Sequence, residues 1–179
     1  MLANTGWNIR AAAEADVAAV VECINSAFLL DAYYCSSPER TDADEVLSCI
    51  RAAPTTVFGC FEQSGTVIGA IVYNQQQCPD HPDSGHIGMV SVRPGHQKKG
   101  IGRALVAACE RVAGSEGRVF LEASLVNLVE HLPHVYASYG FVQQGDLEQP
   151  EHMKFWIKPE FLSKVGFLHY VKRLDSAAS

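Results

Sequence analysis

The hydrophobic period changes several times along the chain, and that switching limits the folds open to it. Val17, Val20, Val21, Ile24 and Phe28 recur at i, i+3, i+4, i+7 and i+11, which is one face of a helix. Glu14 and Asp16 precede them, where the helix dipole favours negative charge. Thr41 reads as an N-cap ahead of Asp42, Asp44 and Glu45, with Pro54 as the stop. Helices are therefore expected at about 14–30 and 42–53. A period of two then takes over. After a short extended start, WNIRAA, the strands are TTVFGCFE, TVIGAIVYNQ and GHIGMVSV, the first two joined by a tight turn at Ser64-Gly65. QQQCPDHPDSG between the last two is loop.

Helical spacing returns at Ile101, Leu105, Cys109 and Val112, closed by Gly114 or Gly117. RVFLEASL is a strand, and HLPHVYASYG a short helix with Pro133 tolerated in its first turn. FVQQGDL and GFLHYVKRL close the series, separated by the insert EQPEHMKFWIKPEFLSKV. The order β-α-α-β-β-β-α-β-α-β-β, without repeat or linker, predicts a single α/β (α+β) domain over residues 1–179. Its core spans about 7–173, with a mixed sheet in the middle and helices on both faces.

Composition narrows the function. A chain of 179 residues buries one sizeable core. Its net charge of −6 is a poor match to duplex nucleic acid or an anionic membrane surface. No run approaches the roughly 18 apolar residues of a membrane span, and MLANTGWNIR has no apolar signal region. A cytoplasmic location is expected. The six cysteines, none in a C-x-x-C pair, then read as reduced thiols. Cys109 falls on a helix core face, while Cys35 and Cys78 sit in loops without an evident histidine partner. His131-x-x-His134 and His81-Pro-Asp83 read as surface side chains, so no metal is expected.

One stretch departs from the acidic balance. Between Asp83 and Glu110 there is no acidic residue, while Arg93, Lys98, Lys99 and Arg103 supply positive charge, with His96 beside them. The stretch joins a strand to a helix N-terminus, whose unpaired N–H groups favour an anion. Gly100 and Gly102 let the backbone approach a ligand closely. Together these predict a cradle for phosphate or pyrophosphate. A P-loop is a poor match, because Ile101-Gly102 follows Gly100 where Lys-Ser/Thr is needed. A dinucleotide fingerprint fails at Leu105, which stands where a third glycine belongs.

VSVRPGHQKKGIGRALV resembles the acyl-CoA signature of the GNAT superfamily of N-acetyltransferases, Q/R-x-x-G-x-G/A, met by Gln97, Gly100 and Gly102. The preceding V-x-V-x-P (Val90, Val92, Pro94) and the later Y-x-x-x-G-F (Tyr136, Gly140, Phe141) strengthen the resemblance, which covers about 7–173. It implies a mostly antiparallel sheet in which the strand ending at Val92 splays from the one starting near Arg118, with acetyl-CoA in the gap as co-substrate. Backbone groups of Val90, Ser91 and Val92 then meet the thioester and pantetheine arm. Gln97, Lys98, Lys99, Gly100, Ile101, Gly102 and Arg103 hold the pyrophosphate. Asn127 stands where such enzymes place an asparagine on the CoA arm, although it precedes the helix tyrosine by nine residues rather than the commoner seven.

Acetyl transfer to an amine needs a neutral amine, a donor to the developing oxyanion and an acid for the leaving thiolate. Tyr136 matches the family's tyrosine in the acid's role. Two residues are candidate bases: His86, a neutral imidazole at physiological pH, and Glu122, since a desolvated carboxylate is a better proton acceptor than an exposed one. A water chain is the third option. The acceptor side is implied to lie between LLDAYYCSSPER and the late insert. There Asp31, Tyr33 and Tyr34 suit a cationic amine, and Phe155 and Trp156 form an apolar wall from the other side. The expected reaction is direct acetylation of a primary amine, on a small molecule, in a ternary complex. Acetylation of a protein or peptide amine, or acyl-CoA binding without turnover, are the alternatives.

Overall fold

The computed structural model describes residues 6–75 and 83–174. Cys78 and His81 lie outside them. Seven strands form one sheet: β1 Trp7–Ala11, β2 Thr56–Glu62, β3 Val67–Asn74, β4 Ser84–Val92, β5 Phe120–Val126, β6 Val142–Glu148 and β7 Phe167–Arg173. Four α-helices accompany them: α1 Val17–Phe28, α2 Ala43–Arg51, α3 Ile101–Ser115 and α4 Leu132–Ser138. The strand order is β1-β2-β3-β4-β5-β7-β6. Neighbours are antiparallel apart from β4 and β5, which run parallel with α3 as their crossover.

The element order follows the sequence reading, with shorter helices at the start. The span expected to begin at residue 14 opens as a 3-10 turn, Glu14–Asp16, and closes as another, Leu29–Tyr34. The cap of α2 also lies one residue further on than expected. Asp42, not Thr41, accepts the Glu45 backbone N–H at 2.8 Å, while the Thr41 hydroxyl donates to the Glu45 carboxylate at 2.7 Å. Thr41 is held from α1, where the Asn25 amide bonds the backbone of Arg40 and Thr41. Gly117, at φ +74°, closes α3.

Each face of the sheet carries its own core. Tyr73, Ile87, Leu121 and Tyr170 pack against Ile101, Leu105 and Cys109 of α3 and Tyr136 of α4. Val57, Ala70 and Val72 on the opposite face pack against Val20, Cys23 and Ile24 of α1 and Val46 of α2. Burying this apolar surface at about 25 cal/mol per Å² is the main stabilising term. A smaller third cluster, Tyr34, Val129, Ile157 and Val165, joins the late insert to the turn after α1. Among the described residues, no helix is long and apolar enough to cross a membrane.

Candidate active site

The register of β4 determines what the sheet offers a ligand. Its pairing with β5 runs from Ser84 with Phe120 to Ile87 with Ala123 and then stops. Beyond that point β4 stays bonded to β3, and β5 to β7. The two parallel strands therefore part, and the β5-facing edge of Gly88–Val92 is left without a strand partner.

A one-residue bulge lies in the same segment. Val72 pairs with Gly88 and Ala70 with Ser91, so three steps on β4 match two on β3. Met89 absorbs the extra residue with φ +50°. The insertion reverses the alternation of side chains. Val90 and Val92 join the α3-side core and Met89 the α1-side core. The Ser91 hydroxyl, buried, donates to the Ala70 carbonyl at 3.2 Å.

After β4 the chain enters the acid-free turn. Gly95, Lys98 and Gly100 are left-handed, at φ +85°, +62° and +82°. Gly100 is the N-cap residue of α3, so the first N–H groups of the helix open toward this turn without intrahelical partners. Left-handed residues of this kind gather neighbouring N–H groups into a concavity suited to an anion. Only part of the local charge faces it freely. Arg93 donates to Glu22 at 2.9 Å and to the Val67 carbonyl at 3.2 Å. His96 sits 3.1 Å from Glu62. Arg103 donates to the Ser138 carbonyl at 2.9 Å and stacks over Tyr139. Lys98 and Lys99 are exposed, and Gln97 makes a long 3.5 Å contact to the Val92 carbonyl.

Gly102 has a packing reason beside the one read from the sequence. A Cβ there would lie 2.7 Å from the Tyr139 hydroxyl and 3.8 Å from Val92. The missing side chain brings α3 against α4. Ile101 is buried beside it in the α3-side core.

Tyr136 is buried on the α3 side of the splay, ringed by Phe141, Tyr139 and Tyr170 at centroid distances of 5.5, 6.0 and 6.4 Å. Burial pushes its hydroxyl well above the ordinary tyrosine range, with Tyr139 and Cys109 adding to the shift. It therefore stays protonated across working pH.

The α1 side of the splay holds both candidate bases. His86 and Glu122 are register partners across β4 and β5. Glu122 is buried, and burial together with the nearby charge of His169 pushes His86 down to about 4, so His86 is neutral at physiological pH. Beside them is a small hollow. A Cβ on Gly88 would find one heavy atom of the described residues within 4 Å, apart from its chain neighbours: His86 Cε1 at 3.9 Å. The sequence reading missed His169. Its Nε2 stands 3.4 Å from Glu122 Oε2, but the contact joins strands 47 residues apart, and a lone histidine in GFLHYVKRL carries no signal of it.

The two segments expected on the acceptor side come together. Lys158 Nζ donates to the Tyr33 carbonyl at 2.6 Å, Lys158 N to the Tyr34 carbonyl at 3.0 Å and Ser36 N to the Trp156 carbonyl at 2.9 Å. Tyr33 is half-exposed, packs edge-on against Tyr34 and Phe161, and donates to the Leu128 carbonyl at 3.0 Å. Tyr34 is buried, and Trp156 stacks near Phe167. The side chain of Asp31 lies outside the described residues. Asn127 clamps this region. Its amide donates to the Lys164 carbonyl and accepts from Gly166 N, both at 2.9 Å.

Among the described residues, no three His, Cys, Asp or Glu side chains are grouped to hold a metal ion. The five cysteines among them are free, and burial raises their thiols above the ordinary range. None is an activated nucleophile.

A search of curated protein sequences finds no match. Solved structures are similar over nearly their whole length. The structure of yncA from Salmonella typhimurium, solved with its cofactor acetyl-CoA, superposes with a TM-score of 0.73 at 23% identity, covering 97% of this chain and 96% of that one. A ribosomal-protein-alanine N-acetyltransferase from Brucella melitensis gives 0.71 at 22%, covering 93% and 99%. An N-acetyltransferase from Staphylococcus aureus Mu50 gives 0.74 at 17%, covering 94% and 99%. At these identities the likeness is one of fold. The family itself is decided by sequence: the model of the acetyltransferase (GNAT) family matches residues 22–141, well over half of the chain. With β4 and β5 parting as the resemblance implied, the chain belongs to the GNAT acetyltransferase family.

Proposed function

We propose that the chain is an acetyl-CoA-dependent N-acetyltransferase acting on the primary amine of a small molecule, by direct transfer. The observation that carries this reading is the parting of β4 and β5 after Ile87 and Ala123, with Tyr136 on one side and His86 and Glu122 on the other. The partly unpaired edge of Val90, Ser91 and Val92 suits the amides of a pantetheine arm. The turn from Gln97 to Arg103 suits a pyrophosphate. Acetyl-CoA, bound there, supplies an activated acyl group.

The residues of the chain then have separate tasks. Tyr136, held protonated by burial, donates its proton to the departing thiolate. His86, neutral and beside the hollow over Gly88, or Glu122 next to it, takes the proton that the amine loses. Tyr33, Tyr34 and Trp156, on segments bonded to each other, close the acceptor end, which favours a small amine over a long peptide. Asp31 lies on the same turn and is proposed to draw a cation. Free cysteines are in keeping with a cytoplasmic enzyme.

The test is release of CoA thiol from acetyl-CoA with a panel of amines that includes small primary amines and peptide N-termini. Turnover with small amines supports the reading, and preference for peptides moves it to a protein acceptor. Tight acetyl-CoA binding with no thiol release would make the chain an acyl-CoA-binding module. Gly100→Asp, which sets a carboxylate into the turn, is expected to abolish acetyl-CoA binding.

A further inference from the structure

Three titratable side chains share the α1-side face of the central strands: His86 on β4, Glu122 on β5 and His169 on β7. The register places them there. His86 pairs with Glu122, and His169 with Ser124, two residues along the same face. The remaining in-register neighbours on this face, Asn74 on β3, Ser124 on β5, Val171 on β7 and Val142 and Gln144 on β6, carry no charge.

Glu122 is held in an unusual way for a buried carboxylate. Its side chain is 3% exposed, and Oε1 makes no hydrogen bond within the described structure. His169 Nε2 is also buried without a hydrogen bond, although it stands 3.4 Å from Glu122 Oε2. The two groups are within ion-pair reach but are not aligned as donor and acceptor. His169 is the one ion-pair partner of Glu122 among the described residues. A carboxylate in a dry site needs a partner to stay in place, and catalytic contacts that are long in a free enzyme tighten when substrate binds.

We propose that His169 is a positioning residue: it fixes the Glu122 carboxylate beside His86, so that the two meet the acceptor amine in one orientation. His169 itself does not touch the substrate. It acts from β7, the strand directly beside β5, on a group at the mouth of the splay. The proposal deepens the acetyl-transfer reading and rests on it for its kinetic test.

That test compares the full-length wild type with His169→Ala, His169→Gln and Glu122→Gln, using acetyl-CoA and the best amine of the panel. His169→Ala is expected to lower kcat about tenfold or more while leaving the KM for acetyl-CoA within about twofold. His169→Gln, which keeps an N–H donor near Oε2, is expected to recover much of the loss. Adding His169→Ala to Glu122→Gln is expected to cost little more, since the two act as one unit. An unchanged kcat in His169→Ala overturns the proposal. So does an equal loss in both His169 variants that tracks a fall in Tm, because that is a purely structural role.

A second readout needs no acceptor. The His86 imidazole is followed by NMR as pH is lowered, and its midpoint, near 4 in the wild type, is expected to rise in His169→Ala. If no amine is turned over yet this midpoint moves, the acetyl-transfer reading fails and the closeness of His169 to His86 stands, with its hold on Glu122 then read from the Glu122 carboxyl carbon signal in wild type and His169→Ala. If it does not move, the positioning proposal fails.

Discussion

A Cβ placed on Gly102 would sit 2.7 Å from the hydroxyl of Tyr139. The glycine of the family motif is thus a close contact between α3 and the end of α4. Gly102→Ala is expected to push the Tyr139 ring, and with it the Arg103 guanidinium stacked above, away from α3. Overpacking of this kind costs roughly 1–3 kcal/mol, offset by about 1 kcal/mol of helix propensity. Chemical denaturation gives the net loss. Combining the change with Tyr139→Phe, which removes the clashing oxygen, is expected to restore most of it.

Tyr136→Phe tests the acid. The ring keeps its packing against Phe141 and Tyr170, so Tm and acetyl-CoA affinity are expected to hold. Only the hydroxyl is lost, and on the proposed role kcat is expected to fall about tenfold to several hundredfold in a thiol-release assay. An unchanged rate would mean that the thiolate leaves without help from this hydroxyl.

His86 gives the fold a pH dependence of known sign. Its folded value is pushed below the unfolded one, from 6.5 to about 4. Between those values the unfolded chain binds a proton that the folded chain does not, so stability falls as pH drops through this window. His86→Gln removes the titrating group. The variant's urea midpoint is expected to vary less than that of the wild type between pH 6.5 and 4, and the difference curve isolates His86 from the carboxylates.

Asn127 offers a clean separation of two roles. Its amide makes two 2.9 Å bonds to the backbone ahead of β7. Asn127→Ala removes both bonds; water replaces the exposed one to Lys164, and the loss of the partly buried one to Gly166 costs about 0.5–1.5 kcal/mol. If the clamp is its whole task, the KM for the amine is expected to rise while that for acetyl-CoA stays put. A rise for acetyl-CoA instead would give Asn127 a place on the CoA arm.

Local features were read well from the sequence, and contacts between distant segments were not. Most of the seven strands and four helices are legible because each is a local pattern of apolar side chains, while β6, exposed along its length, has little such pattern. The turn at Gly100 is legible because its motif is contiguous. Arg93 and His96 look available within an acid-free stretch, yet Glu22 and Glu62 reach them from α1 and β2. Nothing local records that. The same holds for His169, whose partner becomes a neighbour only because β7 inserts between β5 and β6. The bulge at Met89 is hidden for a different reason: GHIGMVSV reads as one uninterrupted strand, and a left-handed methionine is a rare choice.

That bulge makes β4 sensitive to length more than to identity. Several side chains along it can change by a methyl group and leave the strand facing the same way. Removing Met89 would let two steps on β4 match two on β3 and keep Ser91 toward α1 and Val90 and Val92 toward α3. Adding one residue beside it would instead turn the end of the strand inside out, setting Ser91 toward α3 and Val90 and Val92 toward α1. Composition would barely change, and every later contact of the cofactor cleft would be on the wrong surface. Insertion scanning, rather than substitution, is the means of finding which part of this strand cannot shift.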